Sequence, residues 1–353
     1  MVKNIEYDNT IDVKDVENDE EENNNISDNE VISFPANYSL PEISRKLEEG
    51  TFYRPTFQRN FIWDVSRRSK FIESLFFSYP VPPIFLYKKP KVEKYMIIDG
   101  LQRVNAIYSF FKNEFSLKNV STEIENCTFE ELTEEYKKIF EDKQLNCIII
   151  RQLVPNKEEV LYNIFERLNT GGQNLNNMEV RRAIYYGKLI KSLEEINEDE
   201  NWGRILGRKH IHERFLDVEL ILRILAFSEK WDNKTESVSD YTKTIKPFLN
   251  QYTSENKDND IVCFKEKFLK ITKQIIEDLG DKPFNLYSKP NYVLLDSIMT
   301  ALLIQKNTVV DLKNKKEKLI KDVDFKEIYE AKQGSLSSKN VNNRIKIALE
   351  FLK

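Results

Sequence analysis

Residues 95–103 read Tyr95-Met96-Ile97-Ile98-Asp99-Gly100-Leu101-Gln102-Arg103, and across this stretch the apolar pattern changes its period. Tyr95 to Ile98 is a short apolar run closed by Gly100, which reads as a buried strand. Directly after the glycine, Val104, Ile107, Tyr108 and Phe111 recur on one helical face. A strand that ends on a carboxylate, turns at a glycine and enters a helix is an α/β signature, and its neighbours extend it. Ile84 to Tyr87 reads as a second short buried strand, and Asn146 to Ile150 as a further one. Ser39 or Leu40 caps a short helix that exits at Gly50, and Asp64 caps the next helix, where Phe71, Ile72, Leu75 and Phe76 form one apolar stripe. Seven of the eleven prolines lie within residues 35–90, which requires short elements and turns there.

Beyond Pro155 the pattern turns helical. Leu161, Ile164, Phe165 and Leu168 are spaced i, i+3, i+4, i+7, and Asn169-Thr170-Gly171-Gly172 is a helix-ending signal. Asn176 with Glu179 has the spacing of a capping box. Long amphipathic runs follow near 213–230, 240–253, 260–279, 291–306 and 338–352, with no strand alternation of comparable strength and no fixed-period repeat. The expected architecture is α+β. A small mixed α/β lobe over residues 31–155 is followed by a larger all-helical domain over 156–353.

Residues 1–30 differ from everything after them. They hold eleven Asp and Glu against two Lys, a charge of −9, so with a net charge of −4 the remaining 323 residues carry +5. Low apolar content and high charge predict disorder for this tail. It serves either as a solubilising segment or as a mimic that covers a basic groove until nucleic acid competes. The mildly basic body permits contact with a polyanion without requiring it.

The chain's 353 residues, 40% apolar and 32% charged with only 9 glycines, describe a globular, helix-rich protein and exclude collagen-like and low-complexity classes. Cys127, Cys147 and Cys263 share no close spacing, and His210 and His212 are the only histidines, so neither a disulfide framework nor a zinc knuckle is expected. No apolar stretch reaches a membrane span, and the acidic N-terminus does not resemble a signal peptide. A reducing cytoplasm is the expected compartment. His210 and His212, among Arg204, Arg208, Lys209 and Arg214, read as a basic surface patch.

Chemistry concentrates at the Asp99–Arg103 turn. A helix N-terminus presents unpaired N–H groups and the positive dipole end, which favours a phosphate, and Arg103 adds a forked donor matched to phosphate oxygens. Asp99 either holds a metal or a water, orients the arginine, or forms a purely structural salt bridge with it. The segment Tyr53-Arg54-Pro55-x-Phe57-Gln58-Arg59-x-Phe61-x-Trp63 reads as a rigid irregular loop. Gln58 and Arg59 line the same anion site on a functional reading, while Phe57, Phe61 and Trp63 are core anchors. Asn169 reads as a contact to a base or phosphate or as part of a helix cap. Arg181 and Arg182, on the next helix, face either the same cleft or water. No serine or cysteine nucleophile has a credible base near it in the sequence.

Taken in order, these pieces resemble a known family. Phe57-Gln58-Arg59-x-Phe61-x-Trp63, Ile72-Glu73-Ser74-Leu75, Pro80-x-Pro82-Pro83-Ile84, Asp99-Gly100-Leu101-Gln102-Arg103 and Phe165-x-x-Leu168-Asn169-Thr170-Gly171-Gly172, with Glu179 and Arg181 after them, look like the N-terminal domain of GmrSD-type modification-dependent (type IV) restriction proteins. That domain is related to the ParB/sulfiredoxin fold, and the resemblance runs from about residue 34 to about 250.

The resemblance implies nucleoside triphosphate binding and hydrolysis coupled to defence against modified phage DNA. Carried over, Asp99, Gln102 and Arg103 are the catalytic set, with Asp99 as a Mg²⁺ ligand. Gln58, Arg59, Gly100, Arg103, Asn169 and Gly172 bind the nucleotide, and Arg181 and Arg182 approach DNA. Leu101 stands where the family usually has glutamine, so one polar group is missing from the turn. Residues 255–353 contain no histidine, so a His-Asn-His nuclease module is not expected and cutting would fall to a separate nuclease or effector chain. No cysteine lies at the turn for sulfiredoxin chemistry. Two readings stay open: a nucleoside triphosphatase, or a nucleotide-gated DNA-binding or scaffold module without turnover. Homo-oligomerisation is left open by the sequence.

Overall fold

The computed structural model describes residues 31–53, 63–88, 93–121, 123–153, 158–168, 175–242, 244–286, 289–305, 309–331 and 334–353. The acidic tail over 1–30 therefore lies outside the described residues. Two compact units divide between Leu175 and Asn176.

The first unit is built on five strands: β1 (Val31–Ser39), β2 (Phe52–Tyr53), β3 (Ile84–Lys88), β4 (Tyr95–Asp99) and β5 (Gln144–Gln152). Their order is β1-β5-β3-β4-β2. β1 runs antiparallel to β5, β5 parallel to β3, β3 antiparallel to β4, and β4 parallel to β2. The helices of the unit are α1 (Leu40–Glu48), α2 (Val65–Phe76), α3 (Leu101–Phe111), α4 (Glu134–Glu141) and α5 (Glu158–Leu168). The strand runs read from sequence form the interior of the sheet, where β-branched side chains suit a pleated surface buried on its faces. Both caps appear as expected. Ser39 Oγ accepts from the Glu42 amide at 3.3 Å, and Asp64 Oδ1 from the Arg67 amide at 2.7 Å.

Leu40 and Ile43 of α1, Ile72 and Leu75 of α2, and Val104, Ile107 and Phe110 of α3 share one core with Ile84, Leu86 and Ile97 of the sheet. Phe110 meets Phe76 and Phe140 edge-on, with ring centroids 6.4 and 5.3 Å apart, the geometry aromatic quadrupoles prefer. The helix α5, expected to open the helical domain after residue 155, belongs instead to this unit. Its Leu161 and Ile164 line a small apolar space with Val31, Tyr87 and Ile150, so it covers sheet surface that would otherwise be wet. β1 has no counterpart among the expected elements. Pro35 removes a donor from the run, and proline is tolerated in a sheet mainly at an edge, which is where β1 lies.

The second unit is helical: α6 (Asn177–Tyr185), α7 (Lys188–Asn197), α8 (Glu200–Leu206), α9 (Leu216–Lys230), α10 (Ile245–Glu255), α11 (Val262–Leu279), α12 (Tyr292–Ile304), α13 (Leu312–Lys321), α14 (Val323–Glu330) and α15 (Ser338–Leu352). Two short ribbons, β6/β7 (Trp231–Asp232, Ser237–Val238) and β8/β9 (Asn285–Leu286, Lys289–Pro290), punctuate it. Asn176 and Glu179 form both halves of the expected capping box. No helix among the described residues is long and apolar enough to cross a membrane.

A string of buried charge crosses this unit. Arg181 Nη1 donates to Glu219 Oε2 at 2.8 Å, Glu219 Oε1 is 3.8 Å from Arg223 Nη2, and Arg223 Nη1 is 3.5 Å from Asp296 Oδ2. Arg344 Nη1 bonds to Asp296 Oδ1, its Nη2 lies 3.1 Å from Asp296 Oδ2, and it also reaches Ser297 Oγ at 2.7 Å. All five ionic side chains are buried, on α6, α9, α12 and α15. Removing one partner of a buried pair leaves a desolvated charge, which costs about 3–5 kcal/mol. Asp296→Ala, which strands Arg223 and Arg344 together, is accordingly expected to lower unfolding free energy by about that amount in urea titration. A loss below about 1 kcal/mol would refute the string's structural role.

Candidate functional site

The geometry of the turn follows from one glycine. Asp99 ends β4, Gly100 adopts φ +94° and ψ 12°, and α3 starts at Leu101, with the Val104 amide donating to the Gly100 carbonyl at 3.0 Å. Positive φ is disfavoured for residues with a Cβ. A Cβ at position 100 would also lie 3.0 Å from Ile84 Cγ1 and 3.3 Å from Arg103 Nη2. Glycine is thus required twice over, by conformation and by close approach.

Arg103 is drawn into this space. Its Nη2 donates to Asp99 Oδ2 at 2.5 Å, and its Nη1 donates to the Pro82 carbonyl and to the Pro83 carbonyl, the latter at 3.1 Å. One buried guanidinium therefore ties the end of β4, the first turn of α3 and the proline segment leading into β3. The structural salt bridge that the sequence left open is present. Asp99 keeps a solvent-facing side: its side chain is 38% exposed against 10% for Arg103. Gln102, half-buried, accepts through Oε1 from the Trp63 amide at 3.4 Å. Trp63 in turn packs its ring against Phe71, centroids 5.7 Å apart, as expected of a core anchor. The end of the 53–63 segment is thereby held beside the turn.

Asp99, Gly100, Gln102 and Arg103 are brought together. Gln58, Arg59, Asn169 and Gly172 lie outside the described residues, as do Phe57 and Phe61. Leu101 corrects the expectation that a polar group has been lost from an open turn: its side chain is buried in the core of the lobe. A longer polar residue there would point inward unless the first turn of α3 shifted.

Arg181 and Arg182 are corrected more firmly. Arg181 is fully buried, bonded to Glu219, to Asn250 Oδ1 at 2.8 Å and to the Lys246 carbonyl at 3.4 Å. Arg182 is also buried, hydrogen-bonded to Glu194, with its guanidinium carbon 3.5 Å from the Phe215 ring centroid. Neither side chain is presented to DNA. The expected basic patch near His210 is likewise turned inward in part. His212 is buried and its Nδ1 accepts from the Arg214 amide at 3.0 Å, Arg208 Nε is 3.2 Å from buried Asp217, and Arg214 pairs with Glu179 at 3.1 Å.

Pro82 and Pro83 were read from sequence only as part of the family pattern, not as the acceptors that hold Arg103. Their signal was available: proline offers a carbonyl without an amide, so a proline run beside a buried arginine is a natural acceptor pair.

Among the described residues no group of three or more His, Cys, Asp or Glu side chains could hold a metal ion. A protein cage for Mg²⁺ is therefore not assembled from them. Asp99 fits only as a single carboxylate ligand to an ion whose other ligands come from water and substrate phosphates, the usual pattern for Mg²⁺. The apolar crevice under α5, lined by Val31, Tyr87, Ile150, Gln152, Leu161 and Ile164, has no room for even a water molecule. It is below the range of small-molecule pockets, and no residue of the turn contributes to it.

The lobe and its turn define an α/β domain with a strand–glycine–helix site. Residues 40–186 match the model of the GmrSD restriction endonuclease, N-terminal domain. The match spans the Asp99–Arg103 turn and ends within one residue of the end of α6. Among solved structures, a Pnob8-like ParB-N domain is matched at 11% identity with a TM-score of 0.26, over 92% of this chain and 99% of that one. No functionally curated protein matches the chain.

Gly100→Ala is expected to lower the melting temperature of the chain, with a loss of about 1–3 kcal/mol from left-handed strain and the contact with Ile84. Differential scanning calorimetry measures it, and an unchanged transition would contradict the described turn.

Proposed function

We propose that the Asp99–Arg103 turn holds the phosphates of a nucleoside triphosphate in a DNA-directed component of a restriction-like defence system. The observation that carries the reading is the half-exposed Asp99 carboxylate, fixed by Arg103 at a left-handed glycine that opens α3. First-turn amides of a helix lack intrahelical acceptors, and with the dipole they favour an anion. The restriction-related domain over 40–186 supports a link to DNA.

In this reading Arg103 acts as a positioning residue. Its terminal nitrogens already serve Asp99, Pro82 and Pro83, so it aims the carboxylate and stiffens the turn. Asp99 orients the attacking water and accepts its proton as the water oxygen bonds to the γ-phosphorus. The bond from that phosphorus to the β,γ-bridging oxygen breaks, leaving a diphosphate. Gln102 flanks the phosphates, while Gln58, Arg59, Asn169 and Gly172, which lie outside the described residues, are nucleotide-binding positions by the family resemblance alone. Alternatively, Asp99 would be the one protein carboxylate on a bound Mg²⁺, which would neutralise phosphate charge. DNA, modified or not, is the target, and a separate nuclease or effector chain supplies cutting.

The Asp99–Arg103 salt bridge, which already occupies one oxygen of the carboxylate, favours a second reading, in which nucleotide binds and gates DNA contact without turnover. The test measures binding and phosphate release for ATP, GTP, CTP and UTP with Mg²⁺, with and without DNA. Asp99→Asn keeps the side chain's size and is expected to cut phosphate release about a hundredfold or more while leaving nucleotide affinity within about threefold. Binding without release in the unaltered chain makes the gated module the correct reading. Folded protein that binds none of the four nucleotides sinks both.

A further inference from the structure

The strand register places the start of the fold beside a basic end of the sheet. Val31, the first described residue, pairs with Gln152, and Ile32 pairs with Arg151. On the other side of β5, Tyr87 pairs with Ile150, so Lys88 continues alongside Arg151; Lys88 also pairs with Tyr95, which Lys94 precedes. Arg151 and Lys94 are exposed. Lys88 Nζ donates to Glu93 Oε1 at 2.7 Å and lies 5.6 Å from the Tyr95 ring centroid. Among the described residues at this end of the sheet, Lys88, Lys94 and Arg151 stand against the carboxylate of Glu93, an excess of two positive charges. The field is felt there: Glu93 is held below the ordinary carboxylate range, first by the hydrogen bond from Lys88, then by the charges of Lys88 and Arg151. Ile32 and Phe34 of β1 are 40% and 37% exposed. Ile32 lies directly opposite Arg151, and Phe34 falls on the same face by the alternation of the strand.

Residues 1–30, with eleven acidic side chains and two lysines, join the fold at this place. They also bring Ile5, Tyr7, Ile11, Val13 and Val16, interspersed among carboxylates, so they complement the patch in charge and in apolar character. Fourteen residues of chain reach up to about 46 Å when extended, ample to fold back from Val31. A tether this short raises the effective concentration of the segment at the patch to the order of millimolar.

We propose that residues 1–30 dock in cis on the basic end of the sheet formed by Lys88, Lys94 and Arg151, and that a nucleic-acid phosphate backbone displaces them. The displacement rests on the reading that the chain contacts DNA; the docking does not. Attraction of this kind weakens as salt shortens the Debye length, so the covered and open forms differ in their response to ionic strength.

Zero-length carbodiimide cross-linking of the full chain, read by peptide mass spectrometry, tests the docking. It is expected to join tail carboxylates to Lys88 or Lys94, as amides formed with loss of water, in preference to the exposed Lys267 and Lys313. Those links should fade in about 0.5 M salt. Links spread evenly over all four lysines, or indifferent to salt, overturn the docking. For the displacement, the full chain with its eleven tail carboxylates changed to Asn or Gln is expected to bind an arbitrary DNA duplex about tenfold more tightly at low salt. Adding Lys88→Glu and Arg151→Glu should abolish the gain. Unchanged affinity, or a gain that survives these two changes, overturns the displacement. Failure of every form to bind DNA removes the DNA reading and the displacement with it, while the cross-links still decide the docking.

Discussion

The guanidinium of Arg103 is the interaction on which the geometry of the lobe's strand-to-helix turn depends. It sits beneath Gly100, where a Cβ would crowd it at 3.3 Å, and it bonds to a carboxylate on one strand and to two carbonyls leading into the next. A planar fork with several donors can satisfy three acceptors at once; an ammonium at the same place would keep the charge and lose the geometry. The same contact decides what Asp99 can do. Paired on one side and open on the other, it is an oriented carboxylate, which is more useful to a water or a metal ion than a freely rotating one. The glycine, the arginine and the prolines are therefore one device written across twenty-two residues of sequence, from Pro82 to Arg103.

The two units use charge in opposite ways. In the lobe, Arg103 is buried at the edge of solvent and leaves its carboxylate partner half in water. In the helical unit, three arginines and two carboxylates are taken wholly out of water and linked helix to helix. Buried pairs of that kind add little net stability compared with apolar packing, but they penalise alternative arrangements that would leave a charge alone. Helices α6, α9, α12 and α15 each contribute at least one member, so the string favours one mutual arrangement of four helices otherwise joined by interchangeable aliphatic contacts.

Much of the lobe was legible because local signals agree with one another. The apolar runs at 84–87, 95–98 and 146–150 are strands, the Ser39 and Asp64 caps form, and the change of period at Gly100 marks a true strand-to-helix turn. β1 was illegible because its proline and its mixed burial belong to an edge, where pairing on one side suffices. The arginines of α6 misled for a different reason. On an amphipathic pattern a charged residue is assigned to water, and nothing within nine residues reveals that Glu219 or Phe215, far along the chain, will meet it. Position 101 shows the same limit at the site itself. A motif compared letter by letter treats leucine as a lost function, whereas the fold turns that position into the core.

This last point changes what the motif means physically. The four side chains of the turn differ in their access to solvent because the helix begins directly after the glycine. Asp99 and Gln102 are the positions with access, Leu101 and Arg103 the positions that pack. A substitution at 101 therefore acts through the seating of α3, and through it on the direction of the first-turn amides, without removing a group from the cleft. The turn's geometry rests on the backbone's orientation as much as on its side chains. Anything that loosens Arg103 from Pro82 and Pro83 would misaim Asp99 and the amides together, because they share one support.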